Sequence, residues 1–190
     1  MSPSETAPQE KRRCEYISAE FYRGYNAAQS YLADGTDQCW MTDTREFRVG
    51  DDVRHYCIFH APSDVPADDW PLCMRGQMQA DRLIALLDDW QLDNKGLTAK
   101  NQMPLSFSLP FLQCGALSLR GKDYVGALAL RRSHFSGDVW IHSTHFCHQV
   151  DFLESRIDGD FRTHRATVDA QLNLERAQIG QSLLLSLSAF

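Results

Sequence analysis

Residues 133–187 read SHFSGDVWIHS, THFCHQVDFLE, SRIDGDFRTHR, ATVDAQLNLER and AQIGQSLLLSL, consecutive units of 11 residues. A large apolar residue stands third in each unit: Phe135, Phe146, Ile157, Val168 and Ile179. Four places later come Val139, Val150, Phe161, Leu172 and Leu183, and two places after those Ile141, Phe152, Thr163, Leu174 and Leu185. Thr163 alone among these is polar, although only 43% of the chain is hydrophobic. The first position of each unit is small: Ser133, Thr144, Ser155, Ala166 and Ala177. Upstream, Tyr124, Leu128, Leu130, Leu117 and Leu119 continue the columns, and Gln113 breaks the first of them. A fixed short period of this kind marks a solenoid, placed here at residues 111–190.

Within a unit the inward positions pair at spacing 2, which in a strand puts both side chains on one face. Each unit is therefore two very short strands joined by tight corners, and two units form a coil of about 22 residues with four sides. The corner Gly137-Asp138 returns at Gly159-Asp160, 22 residues on. This coil stacks Glu154 on Arg176, an opposite-charge pair, and His142 on His164.

Small-x-large elements separated by short turns resemble the pentapeptide-repeat family. The five units quoted look like its 11-residue, 5 + 6 relative, which occurs in bacterial proteins sometimes labelled membrane-associated oxidoreductases. The resemblance implies a right-handed four-sided β-solenoid and says almost nothing of function. A nicotinamide or flavin fingerprint is absent, since there is no GxGxxG.

Ahead of the solenoid, residues 1–13 mix polar residues and prolines and read as a disordered tail. Residues 14–100 read as an α+β region. Tyr16, Phe21, Tyr22, Tyr25, Ala28 and Leu32 recur at near-helical spacing. EFRVGDDVRHYCIF, residues 46–59, reads as a β-hairpin around Gly50-Asp51-Asp52, and the proline- and aspartate-rich stretch 61–71 as a loop. A second helix carries Leu83, Ile84, Leu87 and Trp90 on one stripe and Asp81, Arg82, Asp88 and Asp89 on the other side. It is expected to end before Asp93-Asn94-Lys95-Gly96 and to cap the first coil, whose apolar interior would otherwise meet water.

At 190 residues the chain suits one substantial domain or two small ones. The formal net charge of −6 opposes wholesale attraction to nucleic acid, and residues 103–190 are balanced, with eight acids against eight bases, so they do not imitate DNA. The polar start MSPSETAPQEKRR has no apolar signal core, and no apolar run is long enough for a span, which together point to the cytoplasm. Six scattered cysteines without C-x-x-C then read as reduced thiols, mostly core filler.

Two groupings have ligand chemistry. His142 over His164 would hold two imidazoles one strand spacing apart, although outward ladder positions are polar by default. His55-x-Cys57-x-x-His60, with Cys73 further on, has the donor types zinc favours; read as one strand, it puts His55 and Cys57 on one face and His60 on the other. Neither grouping assembles a metal site on this reading, and no catalytic residue or cofactor is assigned.

The carboxy end, SLLLSLSAF, stops in mid-pattern with no charge after Arg176. It reads as an open solenoid end that self-associates, docks another protein, or belongs to a longer gene product, with peripheral membrane contact a further use of its apolar residues. The expected function is a non-catalytic protein-interaction scaffold. The alternative is a small enzyme, a hydrolase or membrane-associated oxidoreductase, built on the Cys/His-rich strand near 55–60.

Overall fold

The computed structural model describes residues 13–16, 39, 41–67, 69–94, 106–186 and 188–190. The first helix expected over 16–32 and the tail before Arg13 lie outside the described residues.

The hairpin forms as β1 (Thr44–Val49) and β2 (Asp52–Cys57), antiparallel, with Val49 opposite Asp52 and Thr44 opposite Cys57. The connection is thus two residues, Gly50-Asp51, and Gly50 takes the φ of +64° that such a tight reversal demands. A loop follows, held by Arg75, whose guanidinium donates to the carbonyls of Pro62, Val65 and Trp70 at 2.5–3.1 Å. The helix α1 runs Leu72–Asn94 and starts where the Pro71 carbonyl accepts the amides of Met74 and Arg75. Its expected apolar stripe faces inward: Leu83 and Leu87 are fully buried, and Ile84 and Trp90 are packed against the core.

The remainder is a β-solenoid of about four coils, compatible with a pentapeptide-repeat-like fold. Its strands are β3 (Ser106–Ser108), β4 (Gln113–Cys114), β5 (Leu117–Arg120), β6 (Asp123–Tyr124) and β7 (Ala127–Ala129), continuing with β8 (His134–Phe135), β9 (Val139–His142), β10 (His145–Phe146) and β11 (Val150–Asp151). The last coils add β12 (Arg156–Ile157), β13 (Phe161–His164), β14 (Thr167–Val168), β15 (Leu172–Asn173), β16 (Gln178–Ile179) and β17 (Leu183–Ser186). Four parallel sheets make the four sides: β3-β7-β11-β15, β4-β8-β12-β16, β5-β9-β13-β17 and β6-β10-β14. Parallel pairing already begins at β3, ahead of the expected start at 111.

The register is the 22-residue one. Val139 pairs with Phe161 and Phe161 with Leu183, while Phe135 pairs with Ile157 and Ile157 with Ile179. The inward columns are the core: Phe135, Phe146, Ile157, Phe161, Val139, Val150 and Phe152 are all fully buried. The small column is buried too from Ser133 to Ala166, and its hydroxyls satisfy backbone groups that the tight corners leave without strand partners. The Ser155 hydroxyl donates to the Leu130 carbonyl at 2.9 Å and accepts the Ser133 amide at 3.2 Å. Thr144 donates to the Leu119 carbonyl at 3.2 Å.

Corners repeat with the same discipline. Gly121, Arg132, Ser143, Glu154, Arg165 and Arg176 all have φ between +49° and +64°, one left-handed residue every 11 residues as far as Arg176. Glu154 stacks with Arg176 at 3.3 Å as expected, and with Arg132 at 2.6 Å. At the Gly-Asp corner, Asp160 accepts the Ser182 amide at 2.8 Å and gives its own amide to Asp138 at 2.9 Å. The Arg162 guanidinium beside it holds the Asp160 carboxyl below the usual carboxylate range.

One point of register is corrected. Gln113 does not occupy the first column; Cys114 does, opposite Phe135 and buried. The cause is a corner one residue short: Gly115-Ala116 links Cys114 to Leu117, where Ser136-Gly137-Asp138 links Phe135 to Val139. At this short corner α1 docks. The Gly115 amide donates to the Gly76 carbonyl at 3.1 Å, and a Cβ on Gly115 would lie 2.6 Å from that peptide. Asp88 pairs with Lys122, Gln91 accepts the Val125 amide at 3.1 Å, and Trp90 meets Phe107 edge-on at 5.9 Å. The helix thus covers the first coil. No helix among the described residues is long and apolar enough to cross a membrane.

Candidate functional site

The hairpin leads straight into a tight turn. The strand β2 ends at Cys57, and the His60 amide closes on the Cys57 carbonyl at 3.0 Å, so residues 57–60 reverse the chain. Positions three apart in such a turn converge, whereas in a continuing strand they would oppose each other. The expectation that His60 points away from Cys57 is therefore corrected: Cys57 Sγ lies 3.3 Å from His60 Nδ1.

Two more thiols reach the same spot. Residues 14–16 run beside Cys39 and Met41, with the Cys14 amide on the Met41 carbonyl at 2.8 Å and the Cys39 amide on the Tyr16 carbonyl at 3.2 Å. The Glu15 amide bonds the His55 carbonyl at 2.7 Å, which brings this pair of segments onto β2. Cys14 Sγ then lies 3.7 Å from His60 Nδ1, and Cys39 Sγ 4.0 Å from Cys57 Sγ. All four donor atoms fall within 4.8 Å of one another, and all four residues are buried.

The three thiols shift one another in opposite directions in a buried place. Hydrogen bonds from the Cys39 and Cys57 thiols, with His60 nearby, pull the Cys14 pKa far below the ordinary thiol value. Cys39, hydrogen-bonded to Cys14, is pushed up to about 12, and burial raises Cys57 well above the usual range. The Cys57 amide also donates to Cys14 Sγ at 3.2 Å. Tyr16 stacks on the His60 ring at 4.0 Å, interplanar angle 7°. The Nε2 atom of His60 is buried and finds no hydrogen-bond partner among the described residues.

The other candidates lie apart from this group. His55 sits across the hairpin from Glu46, with 3.7 Å between Nε2 and Oε1, and is not one of the four grouped residues. Cys73 is exposed at the start of α1. His142 and His164 stack at 5.1 Å between ring centroids, as the coil register requires. His134 and His145 belong to different sheets and pair with Asp158 and Asp169 at 2.8 and 2.9 Å. His145, Cys147 and Asp169 also converge, but part-exposed and as three groups only.

Sequence reasoning missed Cys14, Cys39 and the role of His60. One signal could have found part of the group: a two-residue hairpin turn after Val49 fixes equal arms, which end β2 near Cys57 and turn Cys57-x-x-His60 into a chelate half-site.

At the other end of the rod, β17 pairs only with β13. Leu183, Leu184, Leu185 and Phe190 are 46–50% exposed there. No family model, curated protein or solved structure matches the chain.

Proposed function

We propose that the chain is a non-catalytic protein-interaction scaffold that pairs, through its last coil, with a second copy of itself. The observation that carries this reading is the asymmetry of the rod. Its first coil is covered by α1, while β17 presents leucines and one unpaired strand edge. Residues 177–190 have no charged side chain, so no ionised side chain there opposes the approach of an identical end. A two-fold axis through such an end lays β17 antiparallel to its mate and covers both sets of leucines at once. Burial of Cys57, on which an enzymatic reading would depend, also supports a scaffold.

The test is molar mass by light scattering over a concentration series, for the full chain and for a Leu183→Glu, Leu185→Glu double variant. A dimer that becomes a folded monomer in the variant, with unchanged circular dichroism, is the expected result. A monomer at every concentration in the unaltered chain overturns self-pairing.

A further inference from the structure

We propose that Cys14, Cys39, Cys57 and His60 bind one Zn(II) ion as a closed structural centre that fastens the N-terminal segments and the hairpin to the solenoid.

The donor set comes first. Three thiols and an imidazole are the soft and borderline ligands that zinc takes in structural sites, and four of them leave no open position. The geometry agrees. Around a tetrahedral ion with Zn–S of about 2.3 Å and Zn–N of about 2.0–2.1 Å, ligand atoms stand about 3.8 Å apart for two sulfurs and about 3.6 Å for sulfur and nitrogen. The observed separations are 4.0 Å for Cys39–Cys57, 3.7 Å for Cys14–His60 and 3.3 Å for Cys57–His60. Cysteines serving as core filler pack against carbon; nothing in apolar packing turns three sulfurs and a ring nitrogen toward a common centre.

The surroundings fit as well. The Cys57 amide on Cys14 Sγ is the kind of backbone donor that stabilises a metal-bound thiolate. His60 presents Nδ1 to the group, which leaves the ring proton on Nε2; stacking against Tyr16, rather than an acceptor at Nε2, fixes the ring plane. On binding, the thiol protons leave to solvent, and three thiolates with one neutral imidazole around the dication carry a net charge of −1.

The location says what the centre does. The turn between two of its ligands is bonded to both neighbouring parts. The Phe59 carbonyl accepts the Gln113 amide of β4 at 2.9 Å, and the Ile58 carbonyl accepts the Gln79 side chain of α1 at 2.8 Å. Ligands from residues 14, 39 and 57–60 thereby clamp three separate stretches of chain onto the start of the solenoid.

The full-length chain, purified under reducing conditions, incubated with zinc and desalted, is assayed for metal. Titration with Co(II) in place of zinc reports the ligands. The expected results are one zinc per chain, thiolate-to-cobalt absorption with the intense visible bands of a tetrahedral site, and at least a tenfold loss of bound zinc in Cys39→Ser and Cys57→Ser. Cys73→Ser and Cys147→Ser keep the metal. His60→Cys, which retains four donors, also keeps it and gains cobalt–thiolate absorption, a result that mere misfolding cannot produce. The proposal is overturned by an unaltered chain that takes up no stoichiometric zinc or cobalt. It is equally overturned by zinc that survives both serine variants, or by non-reducing peptide mapping that finds a Cys39–Cys57 disulfide in the reduced preparation.

Discussion

At the scale of single residues, the solenoid depends on one left-handed position per unit. Arg165, an exposed residue, takes it with φ of +53°, and its amide bonds the Ser186 carbonyl at 3.2 Å. A side chain in this conformation crowds the following carbonyl, at a cost of roughly 1–2 kcal/mol that rises with branching at Cβ, whereas glycine escapes it and gives up backbone entropy in return. Arg165→Val is therefore expected to lower unfolding free energy by about 1–2 kcal/mol, and Arg165→Gly to match or slightly exceed the unaltered protein. Urea denaturation of the two variants checks this. Equal midpoints would show that the corner tolerates another conformation. Nothing in the residue types announced these positions, since arginine, serine and glutamate occupy them as readily as Gly121. They became visible only as a column of the structure, one place before the small residues. The inward columns, by contrast, were legible, because burial selects side-chain size and polarity directly.

At the scale of elements, the decisive contact is α1 on the first coil. The helix was legible from Leu83, Ile84, Leu87 and Trp90, but its docking point was not. That point is made by Gly76 in the helix and Gly115 in the shortened corner, and an alignment with constant spacing places Gln113 where Cys114 belongs. A deletion inside a repeat shifts every earlier residue by one, which in a strand exchanges inward for outward. The group of three thiols and an imidazole was hidden for a related reason: Cys14, Cys39 and Cys57 are far apart in sequence, and His60 joins them only because β2 stops at Cys57. Gly115→Ala is expected to destabilise by about 1–3 kcal/mol, since the new methyl can be housed only by displacing helix backbone. Gly137→Ala, whose Cβ would meet the side chain and backbone of Ala116 at 3.0–3.2 Å against 2.6 Å at Gly115, is expected to cost less. Thermal melts of both, compared with the unaltered chain, decide whether the helix is held as tightly as the contact implies.

At the scale of the whole molecule, each coil touches only its neighbours, so stability is distributed along an axis rather than around a centre. The first coil has α1 above it, and the middle coils have strands on both sides: β9 is bonded to β5 and β13, and β13 to β9 and β17. The last strand has one partner and four exposed residues. Opening it breaks one ladder and uncovers little that is not already wet, while opening β9 requires the rod to come apart. Amide exchange at low protein concentration should accordingly be fastest in Leu183–Ser186 and slowest in Val139–His142 and Phe161–His164, a gradient readable by mass spectrometry on overlapping peptides. Raising the protein concentration separates two causes of protection at the open end. If the end pairs with a second copy, exchange in Leu183–Ser186 slows with concentration while the middle coils do not change. If the end stays bare, its exchange is independent of concentration, and a uniform profile along the axis would show that the coils open together instead of in sequence.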